Sequence, residues 1–301
     1  SIGVNVTTKC KSCKIKSDSC KECKLILKTS SYLEYLQDQQ IEESIEKIPD
    51  SPGYICSYPY NSELEYLQSN EKIAFKRAEN VEHSLMRKPE DMKQINDVLE
   101  QGFENGTFRW LTDKEINEWD GHVHYLPLNV TYKDSASTPC RICFDSSQPD
   151  KNGRSLNCVM GKGKNPINNF ASVILKFRSA EKVASGDIKK MFNQISVRSQ
   201  DMHLRRFFLR PDGFGGNQEW RVAVPTCVNF GETAAPAVAT MVKNRAATDF
   251  KHISPSVSNM IIHNCIMDDI NIDCKYSEDI DVNIQKAEQI LGHGKFSFKQ
   301  W

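Results

Sequence analysis

The chain has 301 residues, enough to bury a full hydrophobic core and to hold more than one substructure. Its 39 Lys and Arg residues balance 39 Asp and Glu residues, so the formal net charge is zero and a uniformly basic, histone-like surface is excluded. Any contact with nucleic acid must therefore come from a local patch.

Hydropathy and cysteine usage restrict the class of protein further. The mean hydropathy is -0.53, and no apolar run reaches the roughly 18 residues that a membrane-spanning helix needs. The first residues resemble neither a secretory signal nor a transit peptide. The eleven cysteines are odd in number and lie partly in apolar segments, which favours free thiols in a reducing compartment over a disulfide framework. The sequence thus predicts a soluble intracellular protein without a membrane partner.

The first predicted unit is a short segment rich in cysteine and lysine. Residues 9–28 contain four cysteines and seven lysines. Cys10, Cys13, Cys20 and Cys23 form two Cys-x2-Cys pairs, and each pair can present two sulfurs to one tetrahedral Zn²⁺ ion. The spacer between the pairs is shorter than in common zinc ribbons, so free thiols in a lysine-rich tail remain the alternative.

Helical patterns begin near residue 30. Tyr32, Leu33 and Leu36 predict one apolar side of a first helix. The segment SPGY at 51–54 breaks the pattern and separates this helix from a charged helical stretch that runs to about residue 87.

Two later helices carry local start signals. Pro89 suits the first turn of a helix that stops at the glycines that follow it. Thr112-x-x-Glu115 predicts a capping box for a short helix that ends around Trp119.

From residue 121 the patterns alternate between strand and helix. Strands are predicted for five apolar runs: HVHYLPLNVTY, CRICFD, KVASGD, RRFFLR and EWRVAV. Helices are predicted for residues 167–180, about 232–250 and 279–291. His122 and His124 alternate on the first of these strands, so we expect both on the same side, as surface histidines.

The segment MIIHNCIMDDINIDCKY reads as two β-like runs joined by an acidic turn, so a hairpin would carry Asp268 and Asp269 at the end of a sheet. An Asp-Asp pair on a turn is, by itself, usually solvated surface. Two-metal phosphoryl transfer needs carboxylates from separate elements around two cations about 3.5–4 Å apart. Asp187 supplies the second element, because KVASGD predicts a strand that ends on it.

These residues resemble the reverse transcriptases of long-terminal-repeat retrotransposons, most closely the BEL/Pao group. The resemblance covers roughly residues 60–301 in five ordered blocks. TPCRICFDSSQ with NGRSLN is similar to the fingers-to-palm block, and VILKFR with SGDIKKMFNQISV to the helix and first catalytic motif. RRFFLR with EWRVAVPTCVNFGETAAPAVA resembles the strand pair and the motif at Phe230, Gly231 and Pro236. IMDDINI resembles the Tyr-x-Asp-Asp turn, and LGHGKFSFKQW the segment after it.

The resemblance implies a catalytic set. Asp187 and Asp268 would be ligands of Mg²⁺ or Mn²⁺, with Asp269 as a supporting catalytic carboxylate. Phe192, five residues after Asp187, falls where the family has an aromatic ring that blocks a ribose 2′-OH. Packing in the core is the alternative for Phe192.

The resemblance also implies a nucleotide-binding set. Arg141 falls at the position of a fingers arginine that stacks on the incoming base and grips its phosphates, a task suited to a planar guanidinium. Lys133 is the implied triphosphate lysine, with a solvated loop lysine as the alternative. Ile188, Phe230 and Gly231 complete the set.

Two departures from the family pattern stand out. Ile266 occupies the position of the usual tyrosine before x-Asp-Asp, which removes a polar ring but leaves both carboxylates. The thumb, connection and RNase H parts of the family do not appear up to Trp301, which a further polypeptide that supplies them, a fragment of a longer protein or a host-adopted remnant would each explain.

The fold class predicted is α+β, a right-hand polymerase fingers and palm with an antiparallel palm sheet backed by helices. The predicted domains are a Cys-rich module at 1–29, a helical region at 30–120 and the fingers and palm at 121–301. The predicted function is RNA-directed DNA polymerase, a nucleotidyltransferase that takes an RNA or DNA template-primer and dNTPs, in a cytoplasmic particle or the nucleus. The alternative is a non-catalytic, host-adopted or truncated relative that binds nucleic acid or scaffolds an assembly.

Overall fold

The computed structural model describes the backbone of residues 21–132 and 140–301, and the side chains of residues 32–131 and 140–301. These residues form a mixed α+β fold, which confirms the coarse fold class. The helices of the described residues are α1 Lys21–Ser44, α2 Glu71–Leu85, α3 Pro89–Glu104, α4 Asp113–Glu118, α5 Leu156–Val159, α6 Phe170–Ser179, α7 Ser199–His203, α8 Ala235–Asp249, α9 Pro255–His263 and α10 Ile280–Gly292. Their strands are β1 Glu46–Lys47, β2 Tyr54–Cys56, β3 Phe108–Trp110, β4 Leu128–Tyr132, β5 Cys140–Phe144, β6 Lys182–Ile188, β7 Ser196–Val197, β8 Phe207–Leu209, β9 Arg221–Pro225, β10 Cys265–Ile266, β11 Asp269–Cys274 and β12 Phe298–Gln300.

A four-stranded antiparallel sheet, in the order β10-β11-β6-β12, organises the C-terminal part of the chain. Because side chains alternate across a strand, one face of β11 carries Ile270 and Ile272, both fully buried. Helices α9 and α10 pack against β11 and cover this face. Asp187 of β6 and Asp269 of β11 lie on the opposite face, where Asp269 is exposed.

Helix α8 lies at the centre of the core behind this sheet. It is buried on most sides, and Ala237, Val238, Val242 and Ala246 are all at most 2% exposed. A helix with this pattern is buried rather than amphipathic. Its small alanines allow α1, α9 and α10 to pack close to it.

Three smaller sheets surround this unit, in the orders β1-β2-β7, β3-β9-β8 and β4-β5. β2 pairs in parallel with β7, and β3 pairs antiparallel with β9. The predicted helical region at 30–120 therefore also contributes strands to sheets that later segments complete. Phe108, Phe144 and Phe207 join the β3-β9-β8 and β4-β5 sheets in one aromatic cluster, with ring centroids 5.0–5.8 Å apart.

Several predicted helix boundaries are confirmed. Pro89 is the first residue of helix α3, as predicted. Thr112 and Glu115 form the expected capping box of α4, with Glu115 N donating to Thr112 Oγ1 at 3.2 Å and Thr112 N donating to Glu115 Oε2 at 2.9 Å. Asp279 caps α10 by accepting a hydrogen bond from Asp281 N at 3.0 Å.

The apolar side predicted for the first helix is wrong. Tyr32 and Leu33 of α1 are 61% and 46% exposed, whereas Ile41 is fully buried. Helix α1 packs against α8, and Ile41 near its C-terminal end and Ile45 just after it lie in the common core. The tertiary contact therefore selects a different face from the one that periodicity suggested.

The first β-like run before the acidic turn is also not a strand. Met260 to His263 form the end of α9, and only Cys265 and Ile266 belong to β10. Pro255 opens α9, and Val257 and Ile261 bury one side at helical spacing. A short apolar run cannot by itself distinguish a strand from a buried helix.

The strand predicted around His122 and His124 begins only at Leu128, and the two histidines differ in environment. His122 is exposed, whereas His124 is fully buried with Nδ1 3.1 Å from Gln68 O. Burial lowers the pKa of His124 below its usual value. The backbone of the neighbouring Tyr125 hydrogen-bonds with the Asn70 side chain instead of with a neighbouring strand, with N–O distances of 2.8 and 2.9 Å.

No helix of residues 21–132 and 140–301 has the length and apolar character to cross a membrane.

Candidate active site

The acidic turn is a tight hairpin. Ile266 of β10 pairs with Asp269 of β11, so Met267 and Asp268 are the two loop residues between them. Met267 has φ of 57°, a positive value of the kind that two-residue hairpin turns require because their twist must match that of the strands. A non-glycine residue in this region costs about 1–3 kcal/mol, and such strain concentrates at functional sites.

Asp187 and Asp269 face each other across β6 and β11. Ile188 N donates to Asp268 O at 3.0 Å, which makes the Asp187–Asp269 pair a non-hydrogen-bonded pair of the antiparallel ladder. In such pairs the Cα atoms are about 4.5 Å apart and the side chains lie closer than elsewhere in the ladder. The fold therefore brings the end of one strand and the acidic turn together, as the two-metal prediction requires.

The electrostatics of the pair are those of an uncompensated acidic site. The pKa of Asp269 is raised above its usual value of 3.8, first by partial burial and then by the negative charges of Asp268 and Asp187. No cation among the described residues contributes to this shift. A divalent cation between these carboxylates would lower their mutual repulsion.

Within the described residues, no group of three or more His, Cys, Asp or Glu side chains is arranged to hold a metal ion by itself. The facing pair and the turn carboxylate therefore do not form a complete protein cage. Mg²⁺ is usually bound by one or two carboxylates, with substrate phosphates and water completing its octahedral shell. Asp187 and Asp268 fit that type of site, because they offer carboxylate oxygens that form no salt bridge within the described part of the chain.

Strand β12 supports the reverse side of this site. A Cβ on Gly186 would lie 2.7 Å from Trp301 Cε3 and 2.8 Å from Phe298 Cδ1, so the two rings pack directly on the backbone beside Asp187. Trp301 Nε1 donates to Glu288 Oε1 at 3.0 Å, which ties the end of the chain to α10. The position of Asp187 thus depends on a close packing that only glycine allows.

Phe192 lies on a 3₁₀ segment, Met191–Gln194, that follows β6 directly. Its ring is partly buried and meets the ring of Phe230 edge-on, with centroids 4.7 Å apart. Phe230 is 45% exposed, so the pair lies at the surface rather than in the interior. This location is compatible with a contact to a bound molecule.

The turn that contains Phe230 is held by the end of β5 and by Asn157. Gly231 has φ of 97°, and a Cβ there would lie 3.0 Å from Phe144 O at the end of β5. Asn157 Nδ2 donates to Gly231 O at 2.9 Å, and Thr233 N donates to Asn157 Oδ1 at 2.9 Å. The NGRSLN and FGETAAP segments, which the resemblance placed in separate blocks, are therefore in direct contact.

A buried ion pair anchors the same turn from below. Arg205 and Glu232 have fully buried side chains, with Arg205 Nη1 3.1 Å from Glu232 Oε1. Arg205 Nη1 also donates to Cys227 O at 2.8 Å, and the Tyr58 hydroxyl donates to Glu232. Burial alone would lower the pKa of Arg205, but Glu232 and Tyr58 outweigh it and raise the pKa, so the arginine stays charged.

The remaining predicted residues lie in three different settings. Arg141 is exposed on β5, where it pairs with Thr131 of β4. It is three residues from Phe144, about 10 Å along the strand at roughly 3.3 Å per residue. The Ile188 side chain is only 1% exposed, so its contribution to a nucleotide site would come from its backbone. Lys133 lies outside the described residues.

The predicted zinc site also lies outside the part of the chain whose side chains are described. It consists of Cys10, Cys13, Cys20 and Cys23.

An exposed basic surface was missed by the motif search. Residues 151–180 contain six basic residues and no acidic residue: Lys151, Arg154, Lys162, Lys164, Lys176 and Arg178. Two aromatic rings on α6, Phe170 and Phe177, are 64% and 40% exposed. We call Lys162, Lys164, Lys176, Arg178 and these two rings the basic α6 surface. A count of charge by segment would have found it in a chain of zero net charge.

The basic α6 surface adjoins the candidate active site. Lys176 Nζ donates to Asn264 Oδ1 at 3.0 Å, and Asn264 directly precedes β10. Asn168, just before α6, donates through Nδ2 to Cys265 O at 3.0 Å. The segment that carries the positive charge is thus attached to the strand that leads into the acidic turn.

Compared with models of known protein families, the chain matches none, and no curated protein matches it either.

Proposed function

We propose that this chain is the fingers and palm of an RNA-directed DNA polymerase of the retrotransposon type, similar to the BEL/Pao group. The observation that carries the proposal is the direct opposition of Asp187 and Asp269 across β6 and β11, with Asp268 on the adjoining turn. The three carboxylates lie at one end of a helix-backed antiparallel sheet, and they come from two separate elements, as two-metal nucleotidyl transfer needs.

In this proposal Asp187 and Asp268 hold Mg²⁺, or Mn²⁺, and Asp269 supports them. The bound cations supply Lewis acidity for attack by a primer 3′-OH on the α-phosphate of a dNTP. The protein's own residues position the substrates. The Phe192 ring, supported by Phe230, would lie against the sugar and exclude a 2′-OH, while Arg141 would grip the base and phosphates.

The basic α6 surface supports an RNA or DNA template-primer as the partner. Lysine and arginine side chains neutralise phosphates, and exposed aromatic rings stack on unpaired bases without sequence preference. Since the surface is attached to β10 through Lys176 and Asn168, a bound strand would pass close to the acidic turn.

Primer extension by the full chain with Mg²⁺, dNTPs and an RNA template tests the proposal. We expect extension by the wild-type protein and by the control Asp97→Asn, an exposed aspartate on α3. Extension should be lost in Asp268→Asn. Equal extension by the wild type and Asp268→Asn would refute the assignment of the site.

The second candidate is a non-catalytic protein that binds nucleic acid. The basic α6 surface favours it, because that surface needs none of the three aspartates. Binding of single-stranded RNA or DNA without any extension, unchanged in Asp268→Asn, would select this candidate.

A further inference from the structure

Lys243 of α8 is a buried amine in an unusual setting. The residue is fully buried, although lysine is almost never buried without a charged partner. In the described part of the chain its Nζ contacts Ile261 O at 3.1 Å and Cys265 Sγ at 2.6 Å, and neither is a carboxylate oxygen. Burial of an amine is costly unless its hydrogen-bonding capacity is satisfied, and here the two contacts are a backbone carbonyl and a thiol.

Cys265 is the other half of the contact. It is a free thiol, 2% exposed, on the two-residue edge strand β10. The Asn168 side-chain amide lies 3.3 Å from its sulfur. The separation of 2.6 Å between nitrogen and sulfur is shorter than the roughly 3–3.5 Å of near-attack geometries, so no other atom lies between them. The two atoms are thus already placed for bond formation.

We propose that Lys243 and Cys265 form a reversible S–N crosslink when hydrogen peroxide oxidises the thiol. In the first step Cys265 Sγ attacks peroxide, an S–O bond forms, the O–O bond breaks and water leaves, giving a sulfenic acid. In the second step Lys243 Nζ attacks the sulfur, the S–N bond forms and the S–O bond breaks. The departing oxygen takes a proton from the nitrogen and leaves as a second water. Sulfur is oxidised by two electrons, and one peroxide is reduced to two waters.

Three other described cysteines have no amine in contact with the sulfur. Cys56 Sγ and Cys227 Sγ contact backbone carbonyls, and Cys227 also meets the Asn193 amide. Exposed Cys158 lies beside the Ser155 hydroxyl. Oxidation at those sites has no amine to capture the sulfenic acid. Cys274 lies opposite Lys182 across β11 and β6, but Lys182 Nζ donates to Glu278 O at 2.7 Å. Among the described cysteines, only Cys265 has a lysine amine within hydrogen-bond distance of its sulfur, even though burial makes its first oxidation step slower than at Cys158.

Access to the buried sulfur comes from local opening of β10. A two-residue edge strand is held by few ladder bonds, and such segments open far more often than the whole protein unfolds. After reaction, the crosslink fixes α8 to the strand that leads into Met267 and Asp268. This coupling to catalysis rests on the proposed function, but formation of the crosslink does not.

Mass spectrometry of the full chain tests the crosslink. Reduced protein is treated with hydrogen peroxide and digested without reductant. We expect the peptides of Lys243 and Cys265 joined, at the sum of their masses minus two hydrogens, and separated again by dithiothreitol. The matched variants are Lys243→Met, which removes only the nucleophile, and Lys251→Met at an exposed lysine. The link should persist in Lys251→Met and disappear in Lys243→Met.

Oxidation of Cys158 in the same samples shows that peroxide has reacted. If Cys158 is oxidised while wild-type Cys265 stays a thiol, or becomes sulfinic acid with Lys243 free, the proposal is overturned. The wild-type result decides this even if Lys243→Met does not fold, and Cys265→Ser then serves as the unlinked reference.

Primer extension should fall at least tenfold on crosslinking and recover with dithiothreitol. A wild type that crosslinks but never extends a primer would refute the polymerase and leave the crosslink supported.

Discussion

Asp187 and Asp269 are like charges placed directly opposite each other, an arrangement that lowers the stability of a sheet. Nothing in the packing of β6 and β11 needs two carboxylates at this position. The pKa of Asp269 is raised first by partial burial and then by this repulsion. A pairing that costs stability and has a positive-φ turn beside it is best explained by a function that uses the carboxylates.

The first prediction concerns Asp187→Asn. The substitution removes one of the two facing charges, so the free energy of unfolding without metal should rise by about 0.2–1 kcal/mol. Primer extension should be lost at the same time, because a metal ligand is removed. Chemical denaturation and extension assays measure the two effects. The control is Asp97→Asn, which should change neither, and a variant that is both less stable and still active would contradict the prediction.

The second prediction concerns Phe192→Val. If Phe192 limits the sugar pocket, incorporation of ribonucleotides relative to deoxynucleotides should rise at least tenfold, which corresponds to about 1.4 kcal/mol in transition-state discrimination. Loss of the edge-on contact with Phe230 should also cost about 0.5–1.5 kcal/mol of stability. The kcat/KM values for dNTP and rNTP decide the matter. If Phe192 only packs in the core, the substitution should lower stability and leave the ratio of ribonucleotide to deoxynucleotide incorporation unchanged.

Phe208→Val is the matched control for Phe192→Val. Phe208 is also partly buried and stacks on Tyr125, with ring centroids 4.9 Å apart, but it lies in the β3-β9-β8 sheet. Its replacement should lower stability and leave the sugar preference unchanged.

At the scale of elements, β12 acts as a support for β6. The third prediction is that Gly186→Ala lowers the free energy of unfolding by about 1–3 kcal/mol, because the new methyl group overlaps the rings of Phe298 and Trp301. Trp301→Ala removes one of these rings. Gly186→Ala should therefore cost less stability when it is added to Trp301→Ala than when it is made in the wild type. If the two substitutions change the free energy of unfolding by strictly additive amounts in denaturation experiments, the Trp301 ring does not pack on Gly186.

The fourth prediction concerns α6 as a nucleic-acid contact. The double variant Lys176→Glu/Arg178→Glu should weaken binding of single-stranded RNA or DNA. Each phosphate contact to a single strand contributes roughly 0.7 to the steepness with which log K falls against log salt. The loss of two contacts should therefore make the negative slope shallower by about 1.4. Fluorescence anisotropy over a salt series measures this slope.

The matched control for the α6 variant is Lys72→Glu/Lys93→Glu. It makes the same change in net charge on α2 and α3, where both lysines are exposed. A slope that falls equally in both variants would mean that net charge, rather than the basic α6 surface, governs binding.

At the scale of the whole molecule, the Arg205–Glu232 pair joins distant parts of the chain. Arg205 Nη1 also lies 3.3 Å from the Tyr58 hydroxyl, close to β2, while Glu232 precedes α8. The N-terminal region and the central helix therefore meet at one buried charge pair. Breaking such a pair leaves a buried charge without a partner.

The fifth prediction is that Glu232→Gln lowers the free energy of unfolding by about 3–5 kcal/mol, because Arg205 stays charged and buried. Glu79→Gln, which breaks an exposed pair with Lys76, is the control and should cost less than about 1 kcal/mol. Urea denaturation compares the two. Equal losses would mean that water reaches Arg205.

Local signals determined the parts of this fold that depend on neighbours in sequence. The start of α3 at Pro89 and the capping box of Thr112 and Glu115 involve atoms within four residues of one another. The tight acidic hairpin also belongs to this group, because a two-residue hairpin is a local structure, although its loop residues are Met267 and Asp268 and the predicted turn residue Asp269 lies in β11. Residue types and spacing were sufficient for these features.

Only the tertiary structure decided features that join residues distant in sequence. Periodicity placed Tyr32 and Leu33 on an apolar side, yet packing on α8 buried Ile41 instead. The sequence identified Asp187 and Asp269 as candidates, but their opposition follows from the register of β6 and β11, which the buried face of the sheet sets. The contact of Lys243 with Cys265 left no sequence signal, because it exists only where α8 crosses β10 in the core.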